Sequence, residues 1–477
     1  MSPSEPYRPL TADIVAELER IVGKSHVLAD AGPAMLDYAH DEAAAAEPPF
    51  TVEAVVKPQS AAEIAAILRL ANRQRFPVTP RGAGSGLSGG AVPIFGGVVL
   101  SLERMNRILE IDRDNLIAVV EPGVVTNAVN EAVAPLGLFY AGYPMSVEMC
   151  FVGGNVAENA GGGRAVKYGV TGRYVMGLEV VLPTGEIVEV GGKRVKDVTG
   201  YDLLHLLVGS EGTLGIFTKI LLRLVALPVA RAVLLVPFAD VAQAIAVVPR
   251  VFTEGRIVPS SIELMDRLSI ETAYAYLGES PPYPASGAML LFEVDGASAA
   301  DVEAQYEAIG ALCTAAGALD VLVGETPDKA RKMWRARAVC AEALKKLSPD
   351  QSLEDVVVPI AQIPDLVDEI GRLAERHGVR IPTFGHAGDG NLHATVLRPT
   401  EMTREAWRRT LPQVLADLYR AVARLGGTLS GEHGIGSKRR GYLSLVQDET
   451  LIALQRRIKQ AFDPGNILNP GKIFPEG

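Results

Sequence analysis

The sequence has few cysteines, no long apolar run and no leader-like N-terminus, and each shortage excludes a class of protein. Its three cysteines, Cys150, Cys313 and Cys340, are far apart and lack metal-ligand spacing, which fits a reducing compartment. No stretch of about 18 uninterrupted apolar residues occurs, so we expect no transmembrane helix. The first twenty residues lack an apolar signal segment and contain acids, unlike a mitochondrial presequence. We therefore expect a cytoplasmic location, with peripheral attachment to a membrane complex left open.

A basic surface is also missing. The net charge is −10 and no basic stripe is present, which argues against nucleic-acid binding. Hydrophobic residues make up 48 % of the chain and charged residues 21 %, as in a globular protein. A chain of 477 residues can form two or three domains with a large core.

Hydrophobic periodicity divides the chain into four stretches and predicts an α+β fold. Residues 1–46 form a helical segment, and residues 47–226 alternate short strands with glycine-rich turns. Near residue 226 the pattern changes to strand–helix–strand units, which predict an antiparallel sheet covered by helices on one side over residues 227–428. Residues 429–477 form a C-terminal segment. In the second stretch, Ser60 and Glu63 predict a capped helix start.

The first glycine-rich loop, "PRGAGSGLSGGA" (80–91), contains the dinucleotide fingerprint G-x-G-x-x-G after a predicted strand. A Rossmann site also needs a following helix, whereas "GAVPIFGGVVLSL" predicts a strand, so we reject that interpretation. Closely spaced glycines still let backbone N–H groups cradle a phosphate, and Arg81 adds charge. An ordinary turn is the alternative.

Two further segments also contain several glycines. They are "CFVGGNVAENAGGGRAVKYG" (150–169) and "GYDLLHLLVGSEGTLGIFTKI" (200–220). Three such loops at strand ends are hard to explain as turns alone, whereas a long ligand with a diphosphate explains all of them.

These motifs resemble the FAD-binding domain of the vanillyl-alcohol oxidase / p-cresol methylhydroxylase family. The C-terminal "GHAGDGNLH", "SGEHGIG" and "NPGKIF" are similar to the branch with D-lactate dehydrogenase, the glycolate oxidase flavin subunit and D-2-hydroxyglutarate dehydrogenase. The resemblance covers residues from about 45 to 475. It implies FAD between two small α/β subdomains, a substrate (cap) domain, and a C-terminal segment that returns to complete the active site.

The resemblance also assigns FAD contacts by motif match. They are Pro80, Arg81, Gly82, Ala83, Gly84, Ser85, Gly86, Leu87, Gly89, Pro144, Ser146, Gly153, Gly154, Asn155, Ala157, Asn159, Gly161, Gly162, Glu211, Gly212, Ile216 and Asn469, with Lys472 near the flavin edge. Some relatives attach FAD to a histidine where this chain has Ser85, so we expect non-covalent FAD. This chain reads "YPMS" where relatives usually read "DPSS", which leaves the contacts of Pro144 and Ser146 open.

The segment "GHAGDGNLH" (385–393) holds two of the seven histidines around an Asp-Gly pair. A two-residue type I′ turn at Asp389-Gly390 would place His386 directly opposite His393. Opposed residues on one sheet face have Cβ atoms about 5 Å apart, so the two imidazoles can share a metal ion. A pair of satisfied sheet histidines is the alternative.

The motif "SGEHGIG" (430–436) offers further ligands. Glu432 and His433 are adjacent, and the flanking glycines free the backbone from regular strand geometry. Two histidines and a carboxylate suit Zn²⁺ or Mn²⁺ with an open position. The resemblance assigns His386, His393 and Glu432 as metal ligands and His433 as the catalytic base.

This assignment implies a definite reaction. A 2-hydroxy acid binds the metal through its hydroxyl and carboxylate, the metal lowers the hydroxyl pKa, and His433 takes the proton. The α-hydrogen leaves as hydride to flavin N5. By the family's Trp-x-x-Arg pattern, Trp334 places Arg337 in the role of substrate-carboxylate binder. Arg335 has two equally supported interpretations: a binder of the substrate carboxylate, or a solvated charge on the helix surface.

The substrate is expected to carry one carboxylate. D-2-Hydroxyglutarate dehydrogenases have a threonine four residues beyond the arginine and a lysine further on, whereas this chain has Ala341 and Leu353. D-lactate or glycolate is therefore favoured, with D-2-hydroxyglutarate as an alternative. An alkyl-dihydroxyacetone-phosphate synthase-like flavoenzyme, without need of the metal ligands, is a second alternative.

The chain has no cysteine cluster for an iron–sulfur centre of its own. Electrons must leave to a protein, a quinone or oxygen, and an iron–sulfur partner subunit is one expected acceptor. A flavin subunit serving mainly in assembly, or a homodimer, is left open.

Overall fold

The computed structural model describes residues 6–29, 32–43 and 50–475. The predicted boundary at residues 46 and 47 lies outside the described residues. The helices follow in chain order: α1 (Ala12–Val22), α2 (Pro33–Leu36), α3 (Ala61–Gln74), α4 (Thr126–Val133), α5 (Val152–Glu158), α6 (Ala165–Tyr168), α7 (Leu203–Leu207), α8 (Val241–Thr253), α9 (Arg267–Leu277), α10 (Ala299–Ala315), α11 (Pro327–Ala338), α12 (Cys340–Leu347), α13 (Ile363–His377), α14 (Arg404–Arg424) and α15 (Glu449–Phe462).

The strands follow in the same way: β1 (Val27–Leu28), β2 (Ala54–Val56), β3 (Val78–Arg81), β4 (Val98–Ser101), β5 (Ile108–Asp112), β6 (Ile117–Val120), β7 (Leu138–Phe139), β8 (Val175–Val181), β9 (Ile187–Gly191), β10 (Ile216–Arg223), β11 (Val225–Ala226), β12 (Ala230–Phe238), β13 (Ser261–Asp266), β14 (Ala288–Gly296), β15 (Leu322–Gly324), β16 (Gln351–Val357), β17 (Thr383–His386) and β18 (Asn391–Leu397). In the described part of the chain, no helix has the length and apolar character that a membrane crossing requires.

The chain folds into two compact units, each built from more than one piece of sequence. Unit 1 comprises residues 1–161, 170–227 and 432–477, and unit 2 comprises residues 162–169 and 228–431. The long second piece of unit 2 is continuous, so most of it can be described as one domain. Unit 1 instead depends on the two ends of the chain.

Unit 1 contains a four-stranded and a five-stranded sheet. The first has the order β1-β2-β4-β3, in which β2, β4 and β3 are parallel, and the second has the antiparallel order β5-β6-β10-β8-β9. The predicted cap of α3 is confirmed, because Ser60 Oγ accepts the N–H of Glu63 at 3.2 Å. The core of the first sheet packs α1 and α3 against β2 and β4, and Ile467 and Leu468 from the C-terminal segment complete it.

Loop 82–97, with most of the first glycine motif, joins β3 directly to the adjacent parallel strand β4. No helix follows the loop within this described stretch, which agrees with our rejection of a Rossmann site. The second glycine motif differs from expectation, because residues 152–158 form the short helix α5 rather than a loop.

Unit 2 is an antiparallel seven-stranded sheet of order β15-β12-β14-β13-β17-β18-β16. Helices α9, α11 and α12 pack on the face that carries Met289 and Leu291. The alternate residues Leu290 and Phe292 are fully buried as well, and α8 and α10 contact β12 and β14. Helices therefore lie on both faces of the sheet, and the expectation of cover on one side was wrong.

Candidate functional site

The histidine hairpin forms with a different turn from the predicted one. Strands β17 and β18 are joined by a four-residue loop, 387–390, and His386 opposes Asn391 while Phe384 opposes His393. The loop closes through the N–H of Gly390, which donates to His386 O at 3.1 Å. Asp389 Oδ1 accepts the N–H of Asn391 at 3.2 Å, so the Asp side chain shapes the turn locally. The predicted direct opposition of His386 and His393 was therefore wrong.

The two histidines nevertheless lie side by side. They occupy diagonal positions on one face of the sheet, with ring centroids 5.2 Å apart and interplanar angle 86°. Their side chains are 3 % and 7 % exposed, so both imidazoles are shielded from bulk solvent. Long side chains at diagonal positions across an antiparallel strand pair can reach each other. The two imidazoles are therefore close even though the register differs from the predicted one.

The same sheet face carries two acids that sequence reasoning missed. Glu263 on β13 opposes His386, and Asp355 on β16 opposes His393. Both side chains are completely buried. A row of buried polar side chains therefore crosses β13, β17, β18 and β16. The sequence signal for it was the acidic residues inside apolar strand runs: Glu263 in β13, and Asp355 next to Glu354 in β16.

Glu263 contacts two of the nominated residues at once. Its Oε1 lies 2.6 Å from His386 Nδ1, and its Oε2 accepts the Nε–H of Arg337 at 2.7 Å. Ser261 Oγ also donates to Oε1, at 3.1 Å. Burial alone would raise the Glu263 pKa, but the charges of His386 and Arg337 outweigh it and lower that pKa to about 2. Glu263 is therefore held as a carboxylate.

Arg337 is placed as a buried rather than a solvated cation. It lies near the end of α11, is 5 % exposed, and its guanidinium stacks over the Phe384 ring at 4.8 Å. Its Nη2 lies 2.7 Å from Glu263 Oε2 but is poorly aligned, and among the described residues it has no hydrogen-bond partner. Arg335 is half-exposed and pairs with Glu279 at 3.0 Å, as expected for a surface helix charge.

Asp355 anchors the segment that leads into "SGEHGIG". Its Oδ2 accepts from Ser430 Oγ at 2.6 Å and from the N–H of Gly431 at 3.0 Å. Its Oδ1 accepts from Asn391 Nδ2 at 2.6 Å and lies 3.9 Å from His393 Nδ1. The chain continues from Gly431 directly into Glu432 and His433, so Asp355 fixes where that motif begins.

Within unit 1, Glu432 and His433 lie on the same side of the backbone. Their atoms Oε1 and Nε2 are 3.4 Å apart, and both side chains are largely buried. Gly434 and Gly436 have φ of 81° and 54°, so the loop is irregular as the glycines predicted.

The three glycine-rich segments, predicted separately, meet in unit 1. A Cβ on Gly82 would lie 3.7 Å from Gly154 N, and one on Gly212 would lie 2.8 Å from Pro80 Cγ. The N–H of Glu211 donates to Ala157 O at 2.7 Å, which joins the third segment to the second. The C-terminal motif joins the first, because Ser437 Oγ donates to Gly89 O at 3.2 Å. At Gly212, with φ of 65° and Pro80 so near, packing and backbone conformation explain the glycine.

Several nominated FAD contacts use their side chains to hold the protein together. Asn155 Nδ2 donates to Thr126 Oγ1 at 2.7 Å, and Asn159 Oδ1 accepts the N–H of Gly172 at 2.8 Å. Arg81 donates to His40 O at 2.6 Å and Asp37 O at 2.8 Å. Glu211 accepts from the backbone N–H of Ile435 at 2.8 Å. At these four positions at least part of the side chain is used to hold the protein's own structure.

The other nominated residues divide between the units. All of those between Pro80 and Gly161, together with Glu211, Gly212, Ile216, Glu432, His433 and Asn469, belong to unit 1. Gly162, Arg337, His386 and His393 belong to unit 2. Pro144 and Ser146 lie in a turn, where Ser146 O accepts the N–H of Cys150 at 3.0 Å.

Features of this region fit a bound FAD. Gly154 has ordinary backbone angles and no atom within 4 Å of where a Cβ would stand, so the chain's own packing does not demand glycine there. The open space beside Gly154 is compatible with close approach of a ligand to the backbone. Among the described residues, Asn469 Oδ1 and Glu158 Oε2 are buried without a hydrogen-bond partner. FAD carries hydroxyl and ring N–H donors for such acceptors, and the glycine backbone suits its diphosphate.

Buried charges surround the same loops. Burial raises the pKa of Glu158 and Glu211, and the charge of Glu211 adds to the effect on Glu158. Burial lowers the pKa of Lys472 to about 7, while its ammonium donates to Val92 O. The fully buried Arg439 donates to Leu87 O at 3.3 Å and Gly434 O at 3.1 Å. These groups tie the first glycine loop to the C-terminal motif.

Comparison with solved structures defines the class of fold. The chain superimposes on p-cresol methylhydroxylase solved with substrate bound, with a TM-score of 0.80 and 18 % identity, covering 98 % of each chain. At this identity the likeness concerns the fold alone. The FAD-binding fold expected from the glycine motifs is confirmed.

Sequence comparison is more specific. Residues 52–191 match the FAD binding domain model, and residues 227–473 match the model of FAD linked oxidases, C-terminal domain. The glycolate oxidase subunit GlcD of Bacillus subtilis is 39 % identical, over 98 % of this chain and 97 % of its own. A D-lactate dehydrogenase of Anaerostipes hadrus is 37 % identical, over 98 % of both chains. The chain belongs to the FAD-linked oxidase family, and it is a flavin-dependent oxidoreductase.

Proposed function

We propose that this protein is a FAD-dependent D-2-hydroxyacid dehydrogenase that oxidises a small 2-hydroxy monocarboxylate, D-lactate or glycolate, to the 2-oxo acid. The observation that carries this proposal is the buried row of Glu263, His386 and His393 beside Arg337. This group offers the Arg337 guanidinium to bind the substrate carboxylate and the imidazoles of His386 and His393 to bind a metal ion. FAD, when bound, supplies the acceptor for the two electrons removed from the substrate carbon.

Arg337 binds the substrate carboxylate. Two features support this role: the guanidinium is buried, and its Nη2, although 2.7 Å from Glu263 Oε2, makes no aligned hydrogen bond among the described residues. A planar guanidinium has five N–H donors, and Glu263 accepts one of them. The remaining donors suit a carboxylate, and the low exposure strengthens the interaction.

His386 and His393 hold a divalent metal, Zn²⁺ or Mn²⁺, together with Glu432, which we assign from the sequence motif. The paired imidazoles, with centroids 5.2 Å apart, fit the nitrogen ligands such metals prefer. The metal would supply Lewis acidity at the substrate hydroxyl. His433 accepts the hydroxyl proton, since a neutral imidazole nitrogen can act as a general base.

The substrate pocket is proposed to accept one carboxylate. Leu353 opposes Thr395 and lies on the same sheet face as Asp355 and His393, where it joins the apolar packing of α9, α11 and α12. Ala341 is solvent-exposed on α12. Neither residue offers a charge for a second carboxylate, which favours D-lactate or glycolate over D-2-hydroxyglutarate.

FAD is proposed to bind without a covalent bond, because Ser85 offers no imidazole for attachment. Acid precipitation should release the flavin into the supernatant, and a yellow pellet would contradict this. With FAD bound, the electrons taken from the substrate would leave to a separate acceptor, a quinone or an iron–sulfur partner protein.

The deciding experiment is an anaerobic visible spectrum of the holoenzyme before and after D-lactate, L-lactate, glycolate or D-2-hydroxyglutarate is added. Loss of the oxidised-flavin band with D-lactate or glycolate, and not with L-lactate, supports the proposal. A flavin spectrum that none of the four acids changes overturns the substrate class while leaving the fold intact.

A further inference from the structure

Glu263 links two functions that the proposed reaction keeps separate. We propose that Glu263 is a positioning residue that fixes the metal ligand His386 and the carboxylate binder Arg337 as one unit. This inference rests on the proposed function and adds a residue that the sequence motifs did not nominate. A single carboxylate would then set both the metal's nitrogen ligand and the substrate's anchor.

The first step concerns the imidazole of His386. Its Nδ1 lies 2.6 Å from Glu263 Oε1, and an ionised carboxylate is an acceptor only. The proton of His386 must therefore be on Nδ1, which leaves the lone pair on Nε2. Carboxylate–histidine pairs of this kind fix the tautomer and orientation of a ligating ring and raise its basicity.

The second step concerns the guanidinium of Arg337. Its Nε–H donates to Glu263 Oε2 at 2.7 Å, and the Phe384 ring lies beneath it at 4.8 Å. These two contacts leave the side chain little rotational freedom. Because the Arg337 charge is balanced by Glu263 before substrate arrives, neither buried ion is left uncompensated.

The third step concerns the rigidity of Glu263 itself. It lies in the interior of the seven-stranded sheet, where β13 pairs with both β14 and β17. Ser261 Oγ donates to its Oε1 at 3.1 Å, and a Cβ on Gly163 would stand only 2.8 Å from the same oxygen. The carboxylate is thus confined by a hydroxyl and by backbone, so it can transmit a fixed geometry to both partners.

A neighbouring residue provides a matched control. Glu293 on β14 is also buried, at 6 % exposure, and pairs with Arg164 at 2.8 Å. It has the same residue type, sheet and kind of partner as Glu263, but its ion pair with Arg164 involves no residue assigned to the metal or the substrate. Loss of its charge therefore reports the cost of disturbing a buried ion pair in this sheet.

The test compares Glu263→Gln with Glu293→Gln in the FAD-loaded enzyme. Zinc affinity is measured by competition with a coloured chelator, and KM and kcat are measured with D-lactate. For Glu263→Gln we expect zinc affinity to fall about 10- to 100-fold and KM to rise, with flavin content unchanged. Glu293→Gln should alter neither zinc affinity nor KM, whatever its effect on melting temperature.

Ser261→Ala is a milder second variant in case Glu263→Gln does not fold. It removes only the hydroxyl that steadies Oε1, so zinc affinity should fall in the same direction by a smaller factor. If Glu263→Gln folds and its zinc affinity and KM stay at wild-type values, the positioning role is overturned. If only Ser261→Ala folds, wild-type values in that variant overturn it instead. A wild-type enzyme that binds no zinc and oxidises no 2-hydroxy acid overturns the proposed function, and with it this inference.

Discussion

Glu211 Oε2 accepts the backbone N–H of Gly436 at 2.6 Å, across 225 positions of sequence. Its other oxygen accepts the N–H of Ile435, and Glu211 adopts a left-handed φ of 52° to do so. The third glycine motif therefore supports the loop that carries His433. The side chain of Glu211, one of the predicted cofactor contacts, thus also holds the protein backbone.

Replacing Glu211 should destabilise unit 1. Glu211→Ala leaves two buried N–H groups without an acceptor, at a cost of about 1–3 kcal/mol for each. Glu211→Gln retains one carbonyl oxygen and should lie between the alanine variant and the wild type. Urea denaturation followed by far-UV circular dichroism measures the stability of the three proteins and so ranks them. Equal midpoints for Glu211→Ala and the wild type would contradict the bonds described above.

Replacing His433 should remove the proton acceptor but leave the cofactor. His433→Ala is expected to keep its flavin and to lose roughly 100- to 10,000-fold in the rate of anaerobic flavin reduction by substrate. His205→Ala is the control, because His205 is 62 % exposed and pairs only with nearby Asp202 among its recorded ion pairs. Reduction of His433→Ala at the wild-type rate would remove this residue from the mechanism.

Replacing Arg337 and Arg335 of α11 by lysine, one at a time, should distinguish a substrate-binding arginine from a surface arginine. Arg337→Lys loses the planar set of donors, so KM for D-lactate should rise about 10- to 100-fold. Arg335→Lys keeps its surface pairing with Glu279 and should leave KM within about twofold. Steady-state kinetics with an artificial electron acceptor measures both. Similar KM values in the two variants would argue against carboxylate binding by Arg337.

Removing metal should stop turnover without removing the flavin. Dialysis against a chelator is expected to abolish D-lactate oxidation while the flavin absorbance persists, because the nominated ligands are separate from the glycine-rich loops in sequence. Added Zn²⁺ or Mn²⁺ should restore activity in the wild type but not in His393→Ala. Full activity of metal-free protein would leave His386 and His393 with a structural role only.

Asp266 should make stability fall as pH rises from 4 to 7. It caps α9 through Ser269 and accepts the N–H of Thr383, but burial dominates and raises its pKa to about 6. The folded state therefore binds a proton that the unfolded state releases above about pH 4, so stability is greatest below that pH and declines through pH 6. The stability of wild type relative to Asp266→Asn should drop by about 2 kcal/mol from pH 4 to pH 7, measured by denaturant titration. A pH-independent difference would contradict the raised pKa.

Local sequence patterns predicted many of the helices and strands, and they predicted that the glycine-rich segments lie together. Strands such as β14 and helices such as α3 have clear periodicity and end signals, and the structure confirms them. At Gly212, a Cβ would stand 2.8 Å from Pro80 Cγ and φ is 65°, so there the residue type itself records the tertiary constraint.

The hairpin and Glu263 show where such patterns fail. Asp389-Gly390 favours a two-residue turn in isolation, yet pairing with β13 and β16 on either side fixes another register. The observed register therefore depends on neighbouring strands, and the nine-residue segment does not contain them. Glu263 likewise gave no signal, because its partners Arg337 and His386 are 74 and 123 positions away. A lone acid in an apolar strand does not reveal which cation it meets.

The pairing of Val78 with the C-terminal segment has a consequence for how the protein is made. Val78 N–H donates to Ile467 O at 2.9 Å, and Asn469 N–H donates to Val78 O at 2.8 Å. During synthesis, residues 228–431 emerge as an uninterrupted stretch and can fold while the ribosome is still translating. The first sheet of unit 1 must wait for residues 467–469, so its early strands leave the ribosome long before their last neighbours. Such long-range closure slows folding and lengthens the exposure of unpaired edges to aggregation. Expression at low temperature or with chaperones should therefore raise the yield of flavin-loaded protein.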